Sequence, residues 1–148
     1  MDLHPIFVHF PIALVTISVI TAWIARFNSS WPALKESSWL MFWIAAIAAV
    51  PTAITGLIAH APYEETILLE VIETHQFSAL AATLLLVGVS IWRWRARQKG
   101  SDVGDGWAYL LIISAIFGLY LFVGSTGGDL VYDYAINVNA VNILLPGQ

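Results

Sequence analysis

Four long runs of apolar residues, separated by short polar breaks, set the pattern of this chain. They fall at about 7–27, 39–60, 75–94 and 107–125. Each is close to the roughly 20 helical residues needed to cross about 30 Å of hydrocarbon. Lipid offers no water to backbone N–H and C=O groups, so such runs must satisfy themselves as helices. The pattern predicts an all-α fold, an integral membrane four-helix bundle formed by a single transmembrane domain over residues 1–148. Composition agrees: 59% of residues are hydrophobic and 11% charged, whereas a soluble domain carries about 25% charged residues. No basic leader precedes the first run and no small-residue cleavage site follows it, so a retained helix is expected.

The breaks differ in character. Asn28-Ser29-Ser30 and the glycine-rich stretch 100–106 read as tight polar loops. The segment 61–74 is different. Pro62 suits a helix start and Glu64 and Glu65 suit a first turn, complementing the dipole. Ile67, Leu68, Val71, Ile72 and His75 then recur at helical spacing, with Glu70 and Glu73 on the other face. A short amphipathic outer helix is expected between spans two and three, lying on the membrane or extending span three outward. The tail 137–148 is expected to lie over the outer surface. No internal repeat stands out.

Charge then gives direction. Arg26 and Lys35 lie between runs one and two, and Arg93, Arg95, Arg97 and Lys99 between runs three and four, which is all six basic residues. The positive-inside rule makes those loops cytoplasmic and puts both termini on the non-cytoplasmic side. With three acids (Glu36, Asp102, Asp105) against the six basic groups, the inner side carries +3; the seven other acids give −7 outside, together the chain's −4. Trp23, Trp31, Trp39, Trp92, Trp94 and Trp107 gather at the inner interface, as amphipathic rings do. The expected location is a bacterial inner membrane, multi-pass, with N- and C-termini periplasmic.

All four histidines fall at the opposite end. His9 lies fourteen residues from Trp23, or about 21 Å of helix. His75 lies seventeen from Trp92 and His60 seventeen from Trp43, or about 26 Å. His4 is one turn further out. A polar group at membrane depth usually faces the bundle interior, and bundles hold cofactors on facing helices near one end. There are no cysteines, which excludes disulfides, thiolate metal sites, iron–sulfur clusters and covalently attached haem.

Three readings of the cluster stay open. Two histidines can hold a b-type haem without a covalent link. Three or four imidazoles, with Glu64, Glu73 or Asp129, can hold zinc or copper. Or the histidines cap helices and bind no cofactor at all. Other residues have packing roles. Pro11 should kink span one by freeing the Phe7 carbonyl, and Pro51 and Gly56 should do the same in span two. The alanines near 45–53 and 79–82 suit close helix approach. Gly124, Gly127 and Gly128 suggest a turn ending span four, with Asp129, Tyr132, Asp133 and Tyr134 available to support a ligand.

The opening His4-Pro5-Ile6-Phe7-Val8-His9-Phe10-Pro11-Ile12-Ala13-Leu14 resembles the start of the domain-of-unknown-function 2231 family, small bacterial predicted membrane proteins. Thr55-Gly56, Thr74-His75 and the closing Gly127-Gly128-x-Leu130-Val131-Tyr132 extend the resemblance over essentially the whole chain. It implies that His4, His9, His75 and the Gly128–Tyr132 turn are the polar set. His60 matches no family position, and the His-Gly that relatives carry after this turn is replaced by Tyr134-Ala135. Relatives joined to or beside c-type cytochrome modules imply a redox setting.

The combined expectation is a membrane electron-transfer protein that holds a haem b near the periplasmic face. His9 and His75 are the expected axial pair on the iron, with His4 and His60 as alternates or supporting donors. Its partners would be the lipid bilayer and a periplasmic c-type cytochrome or other membrane redox subunits, and not nucleic acid; a homo-oligomer or complex subunit is compatible. The alternatives are a cofactor-free accessory subunit and a zinc or copper protein. No nucleophile–base pair or phosphate-cradling loop points to an independent enzyme.

Overall fold

A computed structural model describes residues 4–28, 30–63 and 66–136. Asp2, Glu64, Glu65 and the tail 137–148, discussed above from sequence, lie outside the described residues. Four helices are long and apolar enough to cross a membrane: His4–Phe27, Pro32–Tyr63, Leu69–Gln98 and Trp107–Tyr132, hereafter spans one to four. Among the described residues all regular structure is helical.

Span one is interrupted at Val8, which separates His4–Phe7 from His9–Phe27. The cause is Pro11, which has no N–H to give the Phe7 carbonyl. Span two offsets part of the deficit: the Thr52 hydroxyl shares its proton between the Ala48 carbonyl at 2.8 Å and that of Phe7 at 3.2 Å. The kink therefore ties the two spans together. Span two begins seven residues earlier than the hydropathy predicts, because Pro32 fits the first helical turn and draws Lys35 and Glu36 into the helix. It ends in a 3-10 turn, Ala61–Tyr63.

Residues 69–74 are the first turns of span three, with Glu70 exposed and Ile72 buried. Among the described residues no separate outer helix stands between spans two and three. Span four runs through Gly124, Gly127 and Gly128 as far as Tyr132, so the predicted turn at these glycines is corrected to continuous helix. None of them has positive φ; among the described glycines that conformation belongs to Gly100 at φ 74°, just after span three.

The spans form a ring in which one packs on two and four, and three packs on two and four. Spans one and three are thus diagonal. Val15, Phe42, Ala45, Leu86 and Ile113 are wholly buried. Ala45, Ala46 and Ala49 let spans one and two approach closely, where Ser18 and Ser38 exchange hydroxyl-to-carbonyl bonds of 2.8 and 2.9 Å. Ile17, Ile44, Ile47, Ile54, Leu84, Leu111 and Leu121 face outward. That apolar exterior suits lipid.

At the basic end the charges are organised. Arg93 is 1% exposed, set between the rings of Trp39 and Tyr109 at 4.9 and 4.6 Å. It donates through Nε to Asp102 Oδ1 at 2.9 Å and through Nη2 to Oδ2 at 3.2 Å. Arg97 donates to Asp102 and to both carboxylate oxygens of Glu36, and Lys35 pairs with Asp105. Burial alone would raise the Asp102 carboxyl. Hydrogen bonds from Arg93 and the Gly104 N–H, with the charges of Arg93 and Arg97, outweigh it and hold the carboxyl below the usual range.

Candidate functional site

The opposite end of the bundle is hollow. A cavity of about 400 Å³ opens there among all four spans, within the range of small-molecule and cofactor sites. His4, His9, His60 and His75 all line it, together with Ala49, Leu80 and Val123. The sequence places the histidines at similar depth; the fold turns all four toward one space.

Three of the rings are anchored through Nδ1. His4 Nδ1 lies 3.1 Å from the Thr52 carbonyl and 3.2 Å from Thr55 Oγ1. A carbonyl only accepts, and the Thr55 hydroxyl proton is directed at the Pro51 and Thr52 carbonyls. The proton on His4 is therefore at Nδ1. His75 Nδ1 lies 3.0 Å from Thr126 Oγ1, whose own proton goes to the Val123 carbonyl, so His75 also donates from Nδ1. His9 donates from Nδ1 to the Pro5 carbonyl at 2.7 Å. A ring that carries its one proton on Nδ1 has its lone pair on Nε2. This is the arrangement that second partners impose on metal-ligating histidines.

Two glycines make room for the rings. A Cβ at Gly56 would stand 2.9 Å from His4 Cε1, and one at Gly127 would stand 3.0 Å from His75 Cε1. Gly56 and Gly127 thus serve close approach, and Gly127 lies in continuous helix and not in the predicted turn. Residue chemistry alone does not reveal this, because the ring that needs the space lies about 50 positions away in sequence.

Three further polar atoms of the lining are buried without a hydrogen-bond partner: His60 Nε2, Gln76 Oε1 and Tyr120 Oη, the last near Thr83. Buried polar groups are nearly always satisfied by protein, water or ligand. Sequence reading missed Gln76, the neighbour of His75, and Tyr120, inside span four, because a single amide or phenol beside an apolar run carries little signal. Glu73, Asp129, Tyr132, Asp133 and Tyr134 do not line the cavity, and Tyr132 is 88% exposed. Among the described residues no three His, Asp or Glu side chains converge closely enough to hold one metal ion. The multi-imidazole zinc or copper reading therefore lacks its ligand set there.

The model of one protein family covers residues 1–140 of this chain. The chain belongs to the DUF2231 family of predicted membrane proteins. No curated protein and no solved structure matches it. For this DUF2231 chain the motif histidines His4, His9 and His75 thus lie on one cavity, and so does His60, which the family opening does not include.

Proposed function

We propose that the histidine-lined cavity holds one b-type haem, making the chain an electron carrier of a bacterial inner membrane. The observation that supports it best is the Nδ1 anchoring of three imidazoles around a cavity of about 400 Å³. Anchored rings present Nε2 as a ligand with little rotational entropy to lose. His75 supplies one ligand and a histidine of span one the other. A haem would bring reversible one-electron chemistry, with a potential set by its axial ligands and the apolar wall. The acidic groups at its edge would find donors in the Gln76 amide, the Tyr120 hydroxyl and the His60 ring N–H, since the described cavity wall has no Lys or Arg. With both termini periplasmic, the site would be open to a soluble c-type cytochrome, the partner that the family resemblance suggests.

The test is the absorption spectrum of protein produced with adequate haem supply, purified in detergent, oxidised and then reduced. A sharp reduced α-band that disappears in His75→Ala supports the reading. A colourless protein contradicts it, and metal found in that colourless protein would favour a non-haem centre.

A further inference from the structure

The two helical hairpins correspond to each other in register. His75 follows His4 by 71 residues, Thr126 follows Thr55 by 71, and Gly127 follows Gly56 by 71. The geometry repeats with them. His4 Nδ1 meets Thr55 Oγ1 at 3.2 Å and His75 Nδ1 meets Thr126 Oγ1 at 3.0 Å. Thr55 donates to the Thr52 carbonyl at 2.9 Å; Thr126 donates to the carbonyl of Val123, the mate of Thr52, at 3.1 Å. Each ring lies over its own hairpin's glycine at nearly the same distance, 2.9 and 3.0 Å from an ideal Cβ.

The same gap-free offset carries the packing. Buried Pro11, Val15 and Val19 of span one map onto buried Ala82, Leu86 and Ser90 of span three. Buried Ser38, Phe42, Ala45 and Ala49 of span two map onto buried Tyr109, Ile113, Ile116 and Tyr120 of span four. Trp23 and Trp94, Arg26 and Arg97, and Tyr63 and Tyr134 are identical mates. Two unrelated helix pairs can share a period, but one offset need not then preserve loop length, burial and a three-residue polar contact together. Parallel repeats of this kind are related by an axis along the membrane normal. In a ring of four spans that axis passes between diagonal spans one and three, through the cavity.

Symmetry sorts the cavity histidines. His4 and His75 are mates, and both line the one cavity. His9 pairs with Leu80 and His60 with Val131, so neither has a counterpart. Gln76 and Tyr120 pair with Pro5 and Ala49. We infer that the chain is a duplicated hairpin and that the mates His4 and His75 are the two ligands, gripping one centre from opposite sides of the axis. The unmatched His9, His60, Gln76 and Tyr120 serve the edge of the cofactor, where its acidic groups break the symmetry. This rests on the haem reading above and replaces His9 with His4 in the pair expected from sequence.

The test uses the full-length protein, purified with haem, in five forms: wild type and the His4→Ala, His75→Ala, His9→Ala and His60→Ala variants. The expected result is that His4→Ala and His75→Ala each lose the low-spin spectrum, weaken haem retention by roughly tenfold or more, and recover the spectrum with added imidazole. His9→Ala and His60→Ala, which remove only contacts at the cofactor's edge, weaken retention less and keep the low-spin bands. His4→Met and His75→Met retain ligation if the alanine variants fold poorly, and should shift the reduction potential upward alike. A wild type with haem whose spectrum survives His4→Ala but not His9→Ala overturns the symmetric pair and leaves the haem reading standing. A wild type that takes up no haem overturns both.

Discussion

Arg93 and Asp102 form a two-point ion pair at 2.9 and 3.2 Å although Arg93 is almost entirely buried. A guanidinium in that position is tolerable only because a carboxylate and two aromatic faces surround it. Removing the partner leaves an uncompensated buried charge. Asp102→Asn should therefore lower stability by roughly 3 kcal/mol, read as a lower melting temperature in detergent. A neutral result would mean that water or detergent reaches Arg93.

The same pair sets a pH dependence. The Asp102 carboxyl lies below its usual range, so its contribution is fully present above the unfolded-state pKa and is lost as pH falls through the lower folded value. Lys35, Arg97 and Glu36 share this network. The melting temperature should hold from neutral pH to about 5 and then fall below about 4. In Asp102→Asn that acid-limb slope should flatten; an unchanged slope would assign acid sensitivity to other carboxylates.

Gly56 and Gly127 separate fold from site. Alanine is favoured over glycine inside a helix by about 0.5–1 kcal/mol, so Gly56→Ala and Gly127→Ala should leave helix content intact. The new methyl must displace the His4 or His75 ring, the closest atoms it would meet. Each variant should weaken cofactor retention while its circular dichroism stays unchanged. Full retention in both would show that the rings need no glycine cradle.

The direction in the membrane that the basic residues imply is open to a direct check. A reporter active only outside the cytoplasm should be active when fused after Gln148 and silent within 97–106. The reverse would place the cavity on the cytoplasmic side and remove the periplasmic cytochrome as a partner.

The four spans are legible in the sequence because hydrocarbon imposes length and apolarity on every turn of each helix. Their ends are less so. Span two starts at Pro32 because an Arg97–Glu36 pair and a proline first turn stabilise a charged helical stretch that hydropathy reads as loop. Arg93 reads as an interfacial charge, and only the fold shows it enclosed by Trp39, Tyr109 and Asp102. Gly127 reads as part of a turn because sequence does not reveal that the His75 ring, 52 residues earlier, needs its space. The repeat is hidden for a related reason. Lipid-facing positions accept any apolar residue, so identity survives mainly where a contact is specific, as at His4 with Thr55 and His75 with Thr126.

The most direct measurement of the central claim is the amount of protohaem and iron bound per chain, taken as a pyridine haemochrome spectrum alongside elemental analysis on the purified wild type. A single cavity gripped by two imidazoles predicts one protohaem and one iron per chain, with no other transition metal in stoichiometric amount. Protein that remains free of protohaem when haem is plentiful would contradict the account.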